Sequence, residues 1–219
     1  MYMDTATKPT MWTESRVRRV FTAAYYDNLS IIVEALDDGF CPATEATLAS
    51  DFKNTTLLHY AVGHPELHGL VPRLLAMKWD PNARTTRFGV TPLFSAFGGV
   101  GSLSMIENLC AAGGRLNITD TAGNTPYMYW AQQAWWMPSN LTIATWLIHQ
   151  QVDLTCRNNS GSSLLDILWG KTVPGRYRIV MPNKDRVLGC LQDAVQRQVA
   201  RWNPARSAWL AACAFKNAL

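Results

Sequence analysis

With 219 residues, 48% of them apolar and only 16% charged, the chain is long enough to bury a core and too apolar to be mainly disordered. Its net charge of +4 conceals an asymmetry: residues 1–170 carry 11 Lys/Arg against 14 Asp/Glu, and residues 171–219 carry 9 against 2. A mildly acidic body with a basic tail points to an acidic partner surface ahead of nucleic acid.

Residues 1–12 contain no apolar stretch of the kind that begins a secretory signal, and they read as a flexible N-terminus. Cys41, Cys110, Cys156, Cys190 and Cys213 are odd in number and form no Cys-x-x-Cys pair. That argues against a disulfide framework or a zinc knuckle and suits a reducing, intracellular compartment. The uncharged stretches Phe88–Ile106 and Thr121–Val152 are interrupted by Pro92, Pro126 and Pro138, so no membrane span is expected.

Four blocks then recur along the chain. They are Asn54-Thr-Thr-Leu-Leu-His-Tyr-Ala61, Gly89-Val-Thr-Pro-Leu-Phe-Ser-Ala96, Gly123-Asn-Thr-Pro-Tyr-Met-Tyr-Trp130 and Gly161-Ser-Ser-Leu-Leu-Asp-Ile-Leu168. Their hydroxyl residues Thr56, Thr91, Thr125 and Ser163 are spaced 35, 34 and 38 apart. A hydroxyl followed by proline is a good helix start, because the side chain serves an orphan N–H and proline has none to waste. Gly89, Gly123 and Gly161 stand where a tight turn asks for positive φ. The first three blocks lead to second apolar segments, Leu70–Met77, Met105–Ala111 and Leu141–Ile148, each followed by a short polar stretch.

Period and motif together resemble the ankyrin repeat, whose repeat is about 33 residues long and whose signature is T-P-L-H-x-A. Thr56 and His59 match it in the first block, Thr91-Pro92-Leu93 in the second and Thr125-Pro126 in the third. Upstream, Val20–Ala24 with Asn28, Leu29, Ile32, Val33, Leu36 and Gly39 resembles an N-terminal capping repeat. The resemblance implies an all-α solenoid of about four helix-turn-helix repeats with capping helices, occupying residues 13–169. A basic loop, 170–183, and C-terminal helices within 184–219 are expected to follow.

Trp130 stands where the repeat wants a small residue, so a splayed or shifted third helix is expected. The segment Gly98–Ser102 reads as the inter-helix turn of the second unit. In the tail, Val187, Leu188, Leu191, Val195, Val199 and Trp202 fall on one helical face, the stripe expected to seal the open end of the stack. Asn203-Pro204 then restarts the chain toward a final cap containing Trp209 and Phe215.

No catalytic constellation, metal set or cofactor motif emerges, and an enzyme is not expected. His64 and His68 flank Pro65 in the wrong order for a zinc helix and read as a turn. Gly98-Gly-Val-Gly101-Ser102 has no lysine to make a phosphate loop.

The resemblance instead implies protein–protein interaction by a chain that is monomeric when free. An adaptor, inhibitor or effector would bind through the tips Ala83–Val90, Ile118–Asn124 and Cys156–Ser162 and the concave helix face. The expected partner-binding residues are Arg84, Arg87, Phe88, Asp120, Tyr129 and Arg157. Trp135 and Trp136 join them from the insertion after the third block, as indole anchors or as a mini-core over Trp130. Arg176 and Arg178 join them from the basic loop. The alternative is a structural subunit of a large assembly, a ribonucleoprotein among the candidates, docked through the basic C-terminal region.

Overall fold

A computed structural model describes residues 12–42, 55–100, 102–133, 140–150, 152–169 and 184–202. Their regular structure is helical, with no strand among the described residues beyond an isolated bridge between Arg157 and Ser163. The elements are α1 (Glu14–Tyr25), α2 (Leu29–Asp37), α3 (Leu57–Gly63), a 3-10 turn (Pro65–Leu70), α4 (Val71–Ala76), α5 (Pro92–Ser95), a π turn (Ala96–Val100), α6 (Leu103–Ala111), α7 (Pro126–Gln133), α8 (Asn140–His149), α9 (Leu164–Leu168) and α10 (Lys184–Trp202).

The helices begin where the hydroxyl and amide residues predict. Thr13, Asn28 and Ser102 accept backbone N–H groups from the first turns of α1, α2 and α6. Ser163 and Asp166 cap α9 reciprocally. α2, α4 and α6 end alike, each with its last turn closed by paired backbone bonds. Gly39 N–H bonds Leu36 and Phe40 N–H bonds Ala35; Lys78 bonds Leu75 and Trp79 bonds Leu74; Gly113 bonds Cys110 and Gly114 bonds Leu109. This geometry needs a left-handed residue, found at Gly39 (φ 89°), Gly113 (φ 96°) and, without glycine's freedom, Lys78 (φ 69°).

Packing follows the order of the units. α1 lies against α3, α3 against α5, α5 against α7 and α7 against α9, while α10 packs on α8 and α9. No single short helix could bury its apolar stripe alone, so each depends on its neighbours. The core runs through the row from Val17, Phe21 and Ile32 through Leu57, Leu74 and Leu93 to Tyr127, Leu147 and Leu164.

One sequence expectation changes, and two gain detail. Trp12, placed in the flexible N-terminus, instead packs edge-on against Phe40 at 5.1 Å and lies beneath the Arg16 guanidinium. The Gly98–Ser102 segment lies between α5 and α6 as expected of an inter-helix turn, and its described part is wound into the π turn through Val100. Glycine offers no side chain to crowd such a wide turn. α7 packs closely on this π turn and its Trp130 is fully buried, so the large ring leaves no apolar surface exposed.

Of the stripe expected on α10, Val187, Leu188 and Leu191 are buried, with Ala194 beside them, and Val195 and Val199 are half-buried. Gln198 adds a polar lock: its amide donates to the Val152 carbonyl at 2.6 Å and accepts Leu154 N–H at 3.1 Å. Earlier in the chain, Asn82 makes the same pair of bonds, donating to Gly113 O at 2.9 Å and accepting Arg115 N–H at 2.8 Å. The end helix thus satisfies two backbone groups at the close of the third unit. Residues 170–183 and 203–219, and with them the basic loop and the final cap, lie outside the described residues.

Candidate functional site

Three tight turns precede α5, α7 and α9, and all are built alike. In the first, Thr85 N–H bonds Val90 O at 3.0 Å and the Thr85 hydroxyl accepts Val90 N–H. In the second, Asp120 N–H bonds Asn124 O, and Asp120 Oδ1 accepts the N–H groups of Ala122 and Asn124 at 2.9 and 2.8 Å. In the third, Asn158 N–H bonds Ser162 O, and Asn158 Oδ1 accepts the N–H groups of Ser160 and Ser162. Each turn closes through a glycine at positive φ: Gly89 at 64°, Gly123 at 77° and Gly161 at 76°.

The turns are also tied edge to edge. Thr121 N–H donates to Phe88 O at 2.9 Å, and Asn159 N–H donates to Ala122 O at 3.0 Å. Side chains add to these ties. Arg84 donates to Thr119 O at 2.6 Å, Asn159 to Thr121 O at 3.2 Å, and Asn158 to Asn124 Oδ1 at 2.8 Å. A methyl group on Gly123 would lie 2.9 Å from Asn159 N, so glycine there permits the close approach as well as the turn. The result is a continuous rim with its backbone polar groups largely satisfied and its side chains available.

His59 anchors this rim from beneath. Its Nδ1 accepts Thr56 N–H at 3.1 Å, which leaves the proton on Nε2 to donate to Val90 O at 3.2 Å. One imidazole therefore caps α3 and holds the first turn of the next unit. Burial pushes its pKa down to about 4 despite the opposing pull of the Val90 and Ala83 backbone and Asp80. In the corresponding place after Thr91 stands Phe94, and the buried Thr91 hydroxyl has no hydrogen-bond partner among the described residues.

Of the residues expected at the tips, Arg84, Arg87 and Phe88 are exposed, Phe88 by 51%, with the Arg87 guanidinium 4.7 Å above its ring. Arg157 is exposed too, but it donates to Gly161 O and pairs with Asp166 at 3.0 Å. Asp120 is a correction. Only 7% exposed, it points its carboxylate into its own turn, where N–H groups converge on it and the Tyr129 hydroxyl donates at 3.2 Å. Tyr129 is accordingly half-buried, edge-on to Phe94 at 4.9 Å, and burial followed by the Asp120 charge raises its hydroxyl to about 12. It supports the second turn from the helix side. Trp135, Trp136, Arg176 and Arg178 lie outside the described residues.

Sequence reasoning missed the pins. Asn158 and Asn159 join adjacent turns, and the run Asn158-Asn-Ser-Gly161 was the signal that could have shown a side-chain-closed turn. It also missed Tyr25 and Tyr26, which are 61% and 74% exposed where α1 turns into α2. His64 and His68 are engaged separately, His64 with Asp27 at 2.7 Å and His68 with the Val62 carbonyl at 3.1 Å. Among the described residues no group of three His, Cys, Asp or Glu side chains is placed to share a metal ion, and no helix is long and apolar enough to cross a membrane. Compared with known proteins, the chain matches no protein-family profile and no curated sequence.

Proposed function

We propose that the chain is an ankyrin-type solenoid that acts by binding another protein along its rim of turns and the adjoining face of α3, α5, α7 and α9. The observation that carries this reading is the rim itself. Three turns of one design, recurring ahead of helices that start after Thr91, Thr125 and Ser163, are hydrogen-bonded into a single pre-organised edge. Pre-organisation matters because a partner then pays little ordering entropy at the contact. The internal roles of Asp120, Tyr129 and His59 fit the same purpose, since each stiffens the edge.

Blocking the rim tests the reading. Ala122 and Ser160 are exposed at the second and third turns. Replacing both with Trp should leave the helical circular-dichroism spectrum intact while abolishing capture of the natural partner from the cells that make the protein. Retention of the same partner at the same yield would refute a rim-based function.

A second reading, a structural subunit docked in a large assembly, draws on α10, where Arg186, Arg197 and Arg201 are exposed opposite the buried stripe. Gel filtration of the isolated chain separates the two. A transient binder runs as a stable monomer, and a permanent subunit aggregates without its assembly.

A further inference from the structure

The charge along the rim is one-sided, and that identifies the kind of partner it fits. The segments 83–90, 118–124 and 156–162 contain Arg84, Arg87 and Arg157 and a single carboxylate, Asp120. All three arginines are exposed, and the carboxylate is buried and occupied by its own turn. Among the described residues no carboxylate pairs with Arg84 or Arg87, whereas Arg157 is partly neutralised by Asp166. Asp80, the nearest carboxylate along the chain, holds the preceding turn by accepting Asn82 N–H at 2.8 Å.

Around the first turn, then, two guanidiniums without carboxylate partners flank an exposed phenyl ring. Both are positioned in advance. Arg84 spends one N–H on Thr119 O and lies against Gly89, where a methyl group would come 2.8 Å from its Nη2. Arg87 stacks on Phe88. A guanidinium held in this way presents its remaining donors as a fork suited to carboxylate.

We propose that the rim at Arg84, Arg87 and Phe88 recognises an acidic polypeptide segment, in which carboxylates flank an apolar side chain that seats on the Phe88 ring. This rests on the rim being a binding edge and adds the chemistry of what it binds. A peptide fits better than a nucleic acid because the cations are few and the body around them is net negative. Residues 1–170 carry 11 Lys/Arg against 14 Asp/Glu, and a polyanion spanning several turns would meet that repulsion.

The test uses the full chain and fluorescein-labelled probes about twelve residues long, read by anisotropy. One peptide has Glu on both sides of two central Leu, a second has Gln for every Glu, a third has Ala for the Leu pair, and a fourth probe is oligo-dT of similar length. The first peptide should bind at least about tenfold more tightly than each of the other three. Arg84→Gln with Arg87→Gln, and separately Phe88→Ala, should each weaken it about tenfold or more. All three side chains are exposed and none belongs to the apolar core, so near-wild-type circular dichroism is expected for the variants.

Equal binding of the Glu and Gln peptides would overturn the proposal. So would an unchanged affinity in the Arg variant, or tighter binding of oligo-dT that the Arg variant removes. If no peptide binds but the rim-blocking Trp pair still abolishes capture of the natural partner, the acidic-segment proposal fails and the rim reading survives. If the Trp pair changes nothing in that capture and no peptide binds, both fail together.

Discussion

Acid should weaken this fold at one identifiable place, the His59 imidazole. It is 4% exposed, and its Nδ1 serves as an acceptor for Thr56 N–H while Nε2–H holds the Val90 carbonyl. Protonation would set an N–H against the Thr56 N–H donor, and burial already opposes the charge, so the folded chain keeps the imidazole neutral down to about pH 4. In the unfolded chain it takes its proton near 6.5. Between those values the unfolded state binds more protons, and stability must fall as the pH is lowered. With 6.5 unfolded and about 4 folded, the loss from pH 7.5 to pH 5 is about 2 kcal/mol, approaching about 3 kcal/mol below pH 4.

Urea unfolding followed by tryptophan fluorescence, on the wild type and on His59→Gln, measures this directly. At pH 7.5 the variant should be less stable by about 1–3 kcal/mol, because buried partners are left imperfectly paired. Between pH 7.5 and pH 5 the wild type should lose about 2 kcal/mol more than the variant, carboxylate effects being common to both. Equal losses in the two proteins would refute the assignment of a neutral, doubly engaged imidazole.

Other consequences follow from the backbone and the packing. Lys78→Gly relieves a left-handed residue in a closing turn whose counterparts are Gly39 and Gly113, and should raise stability by about 0.5–1 kcal/mol in the same urea titration. Gly123→Ala and Gly189→Ala should move in opposite directions. The first adds a methyl at positive φ against Asn159 and costs about 2 kcal/mol or more, and the second fills open space within α10 and adds about 0.5–1 kcal/mol. Gln198→Leu removes the lock on Val152 and Leu154 and should cost about 1–3 kcal/mol, with faster amide exchange at Leu154. Trp130→Ala empties a fully buried site and should cost about 3–5 kcal/mol, visible as a large fall in the urea midpoint.

Much of this architecture is local in origin, and so it was legible in the chain. A hydroxyl or amide before an apolar run marks a helix start, and at Thr13, Asn28, Ser102 and Ser163 the side chain also caps it. The Thr91 and Thr125 hydroxyls start helices without capping them. A glycine three or four residues after a turn-closing side chain predicts positive φ, as at Gly89, Gly123 and Gly161. The apolar stripe of α10 announces a buried face, since period 3.6 puts Val187, Leu188, Leu191 and Val195 on one side. The exposure of Arg84, Arg87 and Phe88 followed from the same turn positions.

The choices that only the tertiary structure made concern which partner a polar or bulky side chain takes. Asp120 and Arg157 read alike as charged tip residues. Yet converging backbone N–H groups draw the carboxylate inward, while the long guanidinium stays at the surface. Tyr129 looked available until its hydroxyl found that same carboxylate. Gln198 lies 46 positions from Val152 and Asn82 lies 31 from Gly113, separations over which no sequence period signals a bond. Trp130 could be judged a misfit from its own repeat alone, but its burial depends on a neighbouring unit that winds into a π turn. Local pattern determines where helices and turns begin. Hydrogen-bond satisfaction between units, a property of the packed stack, decides which side chains remain for a partner.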